Sequence, residues 1–282
     1  MIKAFHMKTR ILIILLFFFN FSFGQSTQKI EEEGFLLYRL EKAAWNATDI
    51  FMESYSLLEN HAGGYISYLN KEEEVITAFY DLNDHSKILI RFTFDEIPES
   101  EPKSVDPTEN KATPLEKDLI EIRENAIRNM KENKDEFFTF YHNTGQNFIP
   151  LISGKKKKVF ILTSTQVPNS LLLGNDYVLE YNRKNKLKRK TKLHEALIFF
   201  QMVSEDEENP IEWTSHTHIL DDLITSTDIC TLLLNSHLLE WNQHYVIGKK
   251  YVSLFNIEKN ALLVLKRKVW EKILKENQSN AD

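Results

Sequence analysis

The residues best suited to chemistry in this 282-residue chain lie between Trp213 and Asp228. Trp213-Thr214-Ser215-His216-Thr217-His218 leads into Asp221, Asp222, Thr225, Ser226, Thr227 and Asp228. If residues 211–218 form a strand, its period of two turns His216 and His218 to one face, where both imidazoles can reach one cation. Asp228 then falls in the first turn of the next helix, and the nine residues 219–227 are long enough to return its carboxylate to the same point. Two His and one carboxylate, with water in the remaining position, is a common catalytic Zn²⁺ arrangement. Thr225-Ser226-Thr227-Asp228 is equally a capping box, in which Thr225 caps the helix and Asp228 returns a hydrogen bond at the positive dipole end. That reading alone would account for Asp228.

This segment resembles the JAMM (MPN-type) metallopeptidases, whose signature runs His-Ser/Thr-His-Pro, a loop, then Ser-x-x-Asp, often with a Trp before the first His. The matching residues are Trp213, His216, Thr217, His218, Thr225 and Asp228. The resemblance spans roughly residues 135–265 and includes Tyr245-Val246-Ile247 and residues 252–257 as closing strands. It implies a zinc-dependent hydrolase of peptide or amide bonds, with His216, His218 and Asp228 as ligands and an upstream Glu as general acid/base. Ile219 stands where the family has Pro, Thr225 replaces Ser, and the loop is one residue short. Residues 143–179 contain no Glu, so Glu136, Glu180 and Glu195 are the out-of-register candidates for the base. Without one, a bound metal keeps its Lewis acidity but loses proton transfer, worth on the order of 10²–10⁴ in rate.

Elsewhere the chemical signals are sparse. His61, His85, His142, His194, His237 and His244 are scattered and read as surface or satisfied polar residues, although His244, after Trp241, could approach the same end of the sheet. Cys230, the single cysteine, sits among Ile229, Leu232 and Leu233 and reads as a buried apolar side chain. Seven cations between Arg183 and Lys192 alternate with Leu187 in a pattern that fits a strand protected by charge. No Gly-rich phosphate loop, Gly-x-Ser-x-Gly elbow or Cys-x-x-Cys pair occurs. With the net charge negative, a nucleic-acid partner is not expected.

These residues need a scaffold, and the pattern is that of an α+β chain. Apolar residues from Phe35 to Leu58 recur every three or four positions and predict one long helix over about 29–59. Gly63-Gly64 ends it, and residues 65–68, 75–80 and 88–94 predict a small antiparallel meander. Pro98, Pro102, Pro107 and Pro114 mark a surface linker over 98–113, dividing a segment 25–97 from a segment 114–282, although 25–282 could be one unit. Thr113, Pro114 and Glu116 form a helix start, with the stripe Leu115, Leu119, Ile122, Ala126 and Met130 behind it. Strands are expected at 137–141, 148–152, 159–163, 177–181, 196–203 and 211–215, with turns at Gly154 and Asn182–Asn185. Glu205–Glu208 reads as a hairpin tip. A helix over 226–241, strands at 245–247, 251–256 and 262–265, and a helix near 269–275 complete a mostly antiparallel larger sheet with no βαβ alternation.

The first twenty-four residues carry an address. Lys3, Lys8 and Arg10 precede the nine-residue apolar run Ile11–Phe19, which ends in Ser22-Phe23-Gly24. That is the layout of a secretory signal peptide cleaved before Gln25, its run too short for the roughly 20 residues that span a bilayer. Gln25 stands where a lipoprotein would need Cys. Cleavage removes three cations and no acid, taking the net charge from −6 to −9. The expectation is a soluble periplasmic or secreted protein with no membrane span after cleavage and no internal disulfide. Two functions fit: a non-catalytic envelope or secreted protein with a JAMM-like fold that binds an unidentified protein or peptide, or the zinc hydrolase.

Overall fold

In the computed structural model the backbone is described over residues 2–203 and 211–279, and side chains over 26–203 and 211–276. The fold is α+β. Helix α1 (Ile2–Ser54) runs through both the apolar leader and the amphipathic stretch, then breaks at Tyr55, and the short α2 (Ser56–Glu59) follows as a separate turn. Strands β1 (Ala62–Leu69), β2 (Val75–Asp81) and β3 (Lys87–Phe94) form the expected antiparallel meander. The Pro-rich segment contributes β4 (Ser104–Asp106) and β5 (Asn110–Lys111), both paired to β3, so it extends this sheet. Helix α3 (Pro114–Glu132) begins with the complete Thr113/Glu116 capping box and ends at Asn133 in the left-handed region.

Three further sheets follow in place of the single larger one expected. The first has β6 (Thr144–Ser153), β7 (Lys156–Thr165), β9 (Tyr177–Tyr181) and β10 (Leu187–Lys192) in the order β10-β9-β7-β6. Strand β8 (Ser170–Gly174) pairs with β11 (Leu197–Gln201) as a two-stranded ribbon. Gly174 at φ 100° and Asn175 at φ 56° make the break that separates β8 from β9. The last sheet has the order β12 (Trp213–Thr217), β13 (Gln243–Ile247), β14 (Tyr251–Asn256) and β15 (Ala261–Lys266). Between β12 and β13 runs α4 (Ser226–Leu234), and the two strands are parallel, so one βαβ unit exists where none was expected. The chain ends in α5 (Arg267–Ser279).

Two other expectations are corrected. Residues 137–141 are not a strand: Asn133 holds Phe138 through both its backbone groups, 2.9 Å each, and the Phe138 ring is buried against Tyr177. The helix expected to reach Trp241 stops at Leu234, and a 3₁₀ turn (Ser236–Leu238) follows it. The run Glu205–Glu208 lies outside the described residues.

The part of α1 beyond residue 26 is the central beam. Leu37, Leu40, Ala43, Ala47 and Phe51, spaced by three and four, bury one face in a core shared with β2, β3, β7 and Cys230 of α4. On another side Ile30, Phe35 and Tyr38 pack on a second core containing Ile229, Trp241, Val246 and Phe255. The two helices touch at Gly34, where an added Cβ would stand 2.7 Å from that of Ile229. This contact fixes α4, and with it Asp228. Among the described residues no helix is long and apolar enough to cross a membrane.

Candidate metal centre

Strand β12 ends at Thr217, and its alternation does bring His216 and His218 inward together, their rings 4.7 Å apart. The β12–α4 connection returns Asp228 in the first turn of α4, beneath both rings. His194, at the end of β10, enters from the opposite side, 5.0 Å from the His218 ring. One donor atom from each of His194, His216, His218 and Asp228 lies within 4.8 Å of every other, and all four residues are buried. Asp228 Oδ1 is 3.0 Å from His194 Nε2 and 4.0 Å from His216 Nε2, and Asp228 Oδ2 is 3.4 Å from His218 Nε2. Four ligands about 2.0–2.1 Å from one tetrahedral ion would sit roughly 3.4 Å apart, so the widest separation, up to 4.8 Å, need close by no more than about 1.4 Å to form a coordination shell.

Both readings of Asp228 hold at once. Oδ2 accepts hydrogen bonds from Thr225 N at 2.9 Å and Thr225 Oγ1 at 2.8 Å, closing the capping box, while Oδ1 is left for the imidazoles. His216 Nε2 and His218 Nε2 are buried and make no hydrogen bond, and Asp228 Oδ1 is buried with His194 Nε2, at 3.0 Å, as its near neighbour. Leaving a buried polar atom unpaired costs about 1–3 kcal/mol, so two orphaned imidazole nitrogens converging on one buried carboxylate are a set without a partner rather than a satisfied polar core.

The outer groups dictate which nitrogens face the centre. His218 Nδ1 lies 2.7 Å from the Leu223 carbonyl, which can only accept, so Nδ1 carries the proton and Nε2 presents a lone pair. His216 Nδ1 is 2.7 Å from His244 Nε2, and His244 Nδ1 is 2.8 Å from Thr214 Oγ1. Protons run outward along this chain when His216 Nε2 is the donor atom to a metal. His194 turns Nδ1 toward Asp176 Oδ2 at 3.6 Å, and Asp176 Oδ1 accepts from Thr163 N. A carboxylate or carbonyl behind each ligating imidazole is the usual support of a metal-binding histidine.

Charges inside the cluster are strongly coupled. Burial opposes charging of His194, but Asp228, with Asp176 behind, overrides it and pushes its pKa up to about 9. Burial raises the cost of ionising Asp228 as well, yet His194, His218 and His216 together hold it well below the ordinary carboxylate range. His216 is lowered to about 4 and His244 to about 3, chiefly by burial, with neighbouring imidazoles adding to it. Asp176 is raised to about 6 by burial, with Asp228 contributing. The metal-free cluster is thus centred on a buried ion pair, His194⁺ with Asp228⁻, beside a neutral His216.

His216, His218 and Asp228 are brought together as the sequence suggests. His194 joins them, its donor atom within 4.8 Å of the other three. His194 and Asp176 were missed, whereas His244, expected to approach this end of the sheet, stands 2.7 Å behind His216. None of Glu136, Glu180 and Glu195 joins the cluster. Glu180 pairs with Arg189 at 3.0 Å; Glu136 and Glu195 are exposed, Glu136 in a turn at φ 51°. Only hairpin counting could have found His194: β10 returns antiparallel along β9, Lys192 opposite Tyr177, which leads on to Asp176 opposite Leu193. A register shift between Leu187 and Arg189 defeats that count. Cys230 is buried, its thiol pKa well above ordinary, so no thiolate joins the set.

No protein-family model, no curated protein and no solved structure matches this chain.

Proposed function

We propose that this chain is an exported, non-catalytic protein whose C-terminal half is held by a closed Zn²⁺ centre, with His194, His216, His218 and Asp228 as the four ligands. The observation that carries the reading is the convergence of two unpaired buried imidazole nitrogens, His216 Nε2 and His218 Nε2, with Asp228 Oδ1 and His194 Nε2, on one point. Three imidazoles and one carboxylate form a borderline donor set suited to tetrahedral zinc, and four protein ligands with no open position characterise structural rather than catalytic zinc sites. A metal here would tie β12 to α4 and to the β10 end. In an exported chain with one cysteine it would stand where other exported proteins use disulfides. Export itself rests on the charged, apolar and small-residue layout of residues 3–24.

Thermal unfolding of the chelator-stripped and zinc-reloaded chain, with metal content measured on the same samples, tests this reading. About one zinc per chain and a Tm raised by ten degrees or more are expected, because binding to the folded state alone adds its free energy to stability. No retained zinc and an unchanged Tm would refute it. The second reading, a JAMM-like hydrolase of peptide or amide bonds, is favoured by the shared His216, His218 and Asp228 set. It requires His194 to leave the fourth position to water and a carboxylate to approach. Metal-dependent cleavage of peptide substrates that is lost in Asp228→Asn and in one of Glu136→Gln, Glu180→Gln or Glu195→Gln would favour it.

A further inference from the structure

The outer face of the last sheet and α5 form a surface of a different character. Arg267-Lys268-Val269-Trp270-Glu271-Lys272-Ile273-Leu274-Lys275 places Val269, Ile273, Trp270 and Leu274 on one helical arc of about 140°. Val269, Ile273 and Leu274 remain 47%, 42% and 40% exposed, so the sheet beneath covers the stripe only in part. Trp270 reaches Tyr245, and Tyr245 meets the exposed Trp213, continuing the apolar strip across β13 to β12. Leu263, also exposed, extends it along the row Tyr245, Leu254, Leu263. Beside this strip lies a cavity of ≈ 500 Å³ whose charged lining is Lys249, Lys250, Lys266, Arg267, Lys268 and Glu271; Glu271 pairs with Arg267 at 2.9 Å and Asp222 with Lys250 at 3.7 Å, which leaves Lys249, Lys266 and Lys268 in excess. Lys272 and Lys275 continue the cations along the helix.

The chain as a whole carries a net charge of −6, so this gathering of seven cations around exposed aliphatic and aromatic residues runs against the average of the surface. A basic amphipathic helix with Trp and aliphatic side chains on one face and low mean hydropathy suits the boundary layer of a membrane, not its interior. The cations match lipid phosphates, and the apolar arc matches the upper acyl region. We propose that this face docks on an anionic phospholipid surface, Val269, Ile273 and Leu274 entering the headgroup layer while Lys249, Lys266 and Lys268 rest on lipid phosphates. The proposal is independent of the metal centre.

Co-sedimentation of the exported chain with phosphatidylglycerol-containing vesicles, beside pure phosphatidylcholine vesicles, tests it. Partition onto the anionic vesicles is expected to be at least tenfold stronger at low salt and to fall steeply at high salt. A surface cation contributes roughly fivefold to such binding, so Lys249→Gln/Lys268→Gln should weaken it by roughly 25-fold. Ile273→Ser/Leu274→Ser should weaken it more than tenfold at either salt. All four residues are exposed, and melting curves verify that the variants fold. Equal binding to both vesicle types, or binding unaffected by either double variant, would overturn the proposal. So would a melting shift with inorganic phosphate without vesicle binding, or a dimer in sedimentation velocity that Ile273→Ser/Leu274→Ser dissociates, since a free anion or a second copy would then be the occupant.

Discussion

If the four-residue centre takes up zinc as proposed, the ion must displace a proton from His194. In the metal-free protein His194 is held protonated by Asp228 and Asp176, with a pKa of about 9. A metal ion can take His194 Nε2 only after that proton leaves. At pH 7 about one molecule in a hundred has a neutral His194, a penalty of about 2.7 kcal/mol on apparent zinc affinity. Each unit of pH between about 6.5 and 8 should therefore raise the affinity about tenfold, with the rise flattening above pH 9. His216, lowered to about 4, is already neutral over this range and adds nothing to the slope. Calorimetric titration with zinc in two buffers of different protonation enthalpy counts the protons released. The account expects close to one from His194 at pH 7, and its loss in His194→Ala. A flat affinity over this range, or a proton count that His194→Ala leaves unchanged, would remove His194 from the ligand set and restore water to the fourth position.

The same titration governs the stability of the metal-free chain. The folded state holds the His194 proton more tightly than the unfolded one, about 9 against 6.5, so this group contributes about 3 kcal/mol below pH 6.5 that is lost as pH rises through 9. Denaturant midpoints should fall between pH 7 and 9.5 in stripped protein and hold steady in zinc-loaded protein. His244→Phe keeps the bulk of that side chain but removes the acceptor for His216 Nδ1, and zinc affinity measured by chelator competition should drop 10–100-fold. Gly34→Ala forces a Cβ against Ile229 at 2.7 Å and should lower stability in urea by about 1–3 kcal/mol while leaving zinc stoichiometry at one.

Local signals in the chain proved reliable where one element explains itself. The Thr113–Glu116 and Thr225–Asp228 capping boxes, the β2–β3 hairpin and the Gly154 turn are each written in a few adjacent residues. What sequence alone could not reveal depends on distant pairing. His194 has no second ligand near it in the chain, and becomes one only because β10 folds back along β9 and ends beside α4. The parallel β12–β13 pair was hidden for a similar reason, since a nine-residue helix between short strands carries little periodic signal. The strand expected at 137–141 shows the opposite error: its alternating aromatics reflect packing of Phe137 and Phe138 on Tyr177 rather than a ladder.

The central claim is that four protein side chains, three of them imidazoles, enclose one metal ion. X-ray absorption at the zinc edge of the loaded chain measures this directly, because imidazole rings give a distinct outer-shell scattering pattern. A four-coordinate ion with three imidazoles and one oxygen at about 2.0–2.1 Å, falling to two imidazoles in His194→Ala, is the predicted result. A five- or six-coordinate ion with two imidazoles in the unaltered chain would contradict the account.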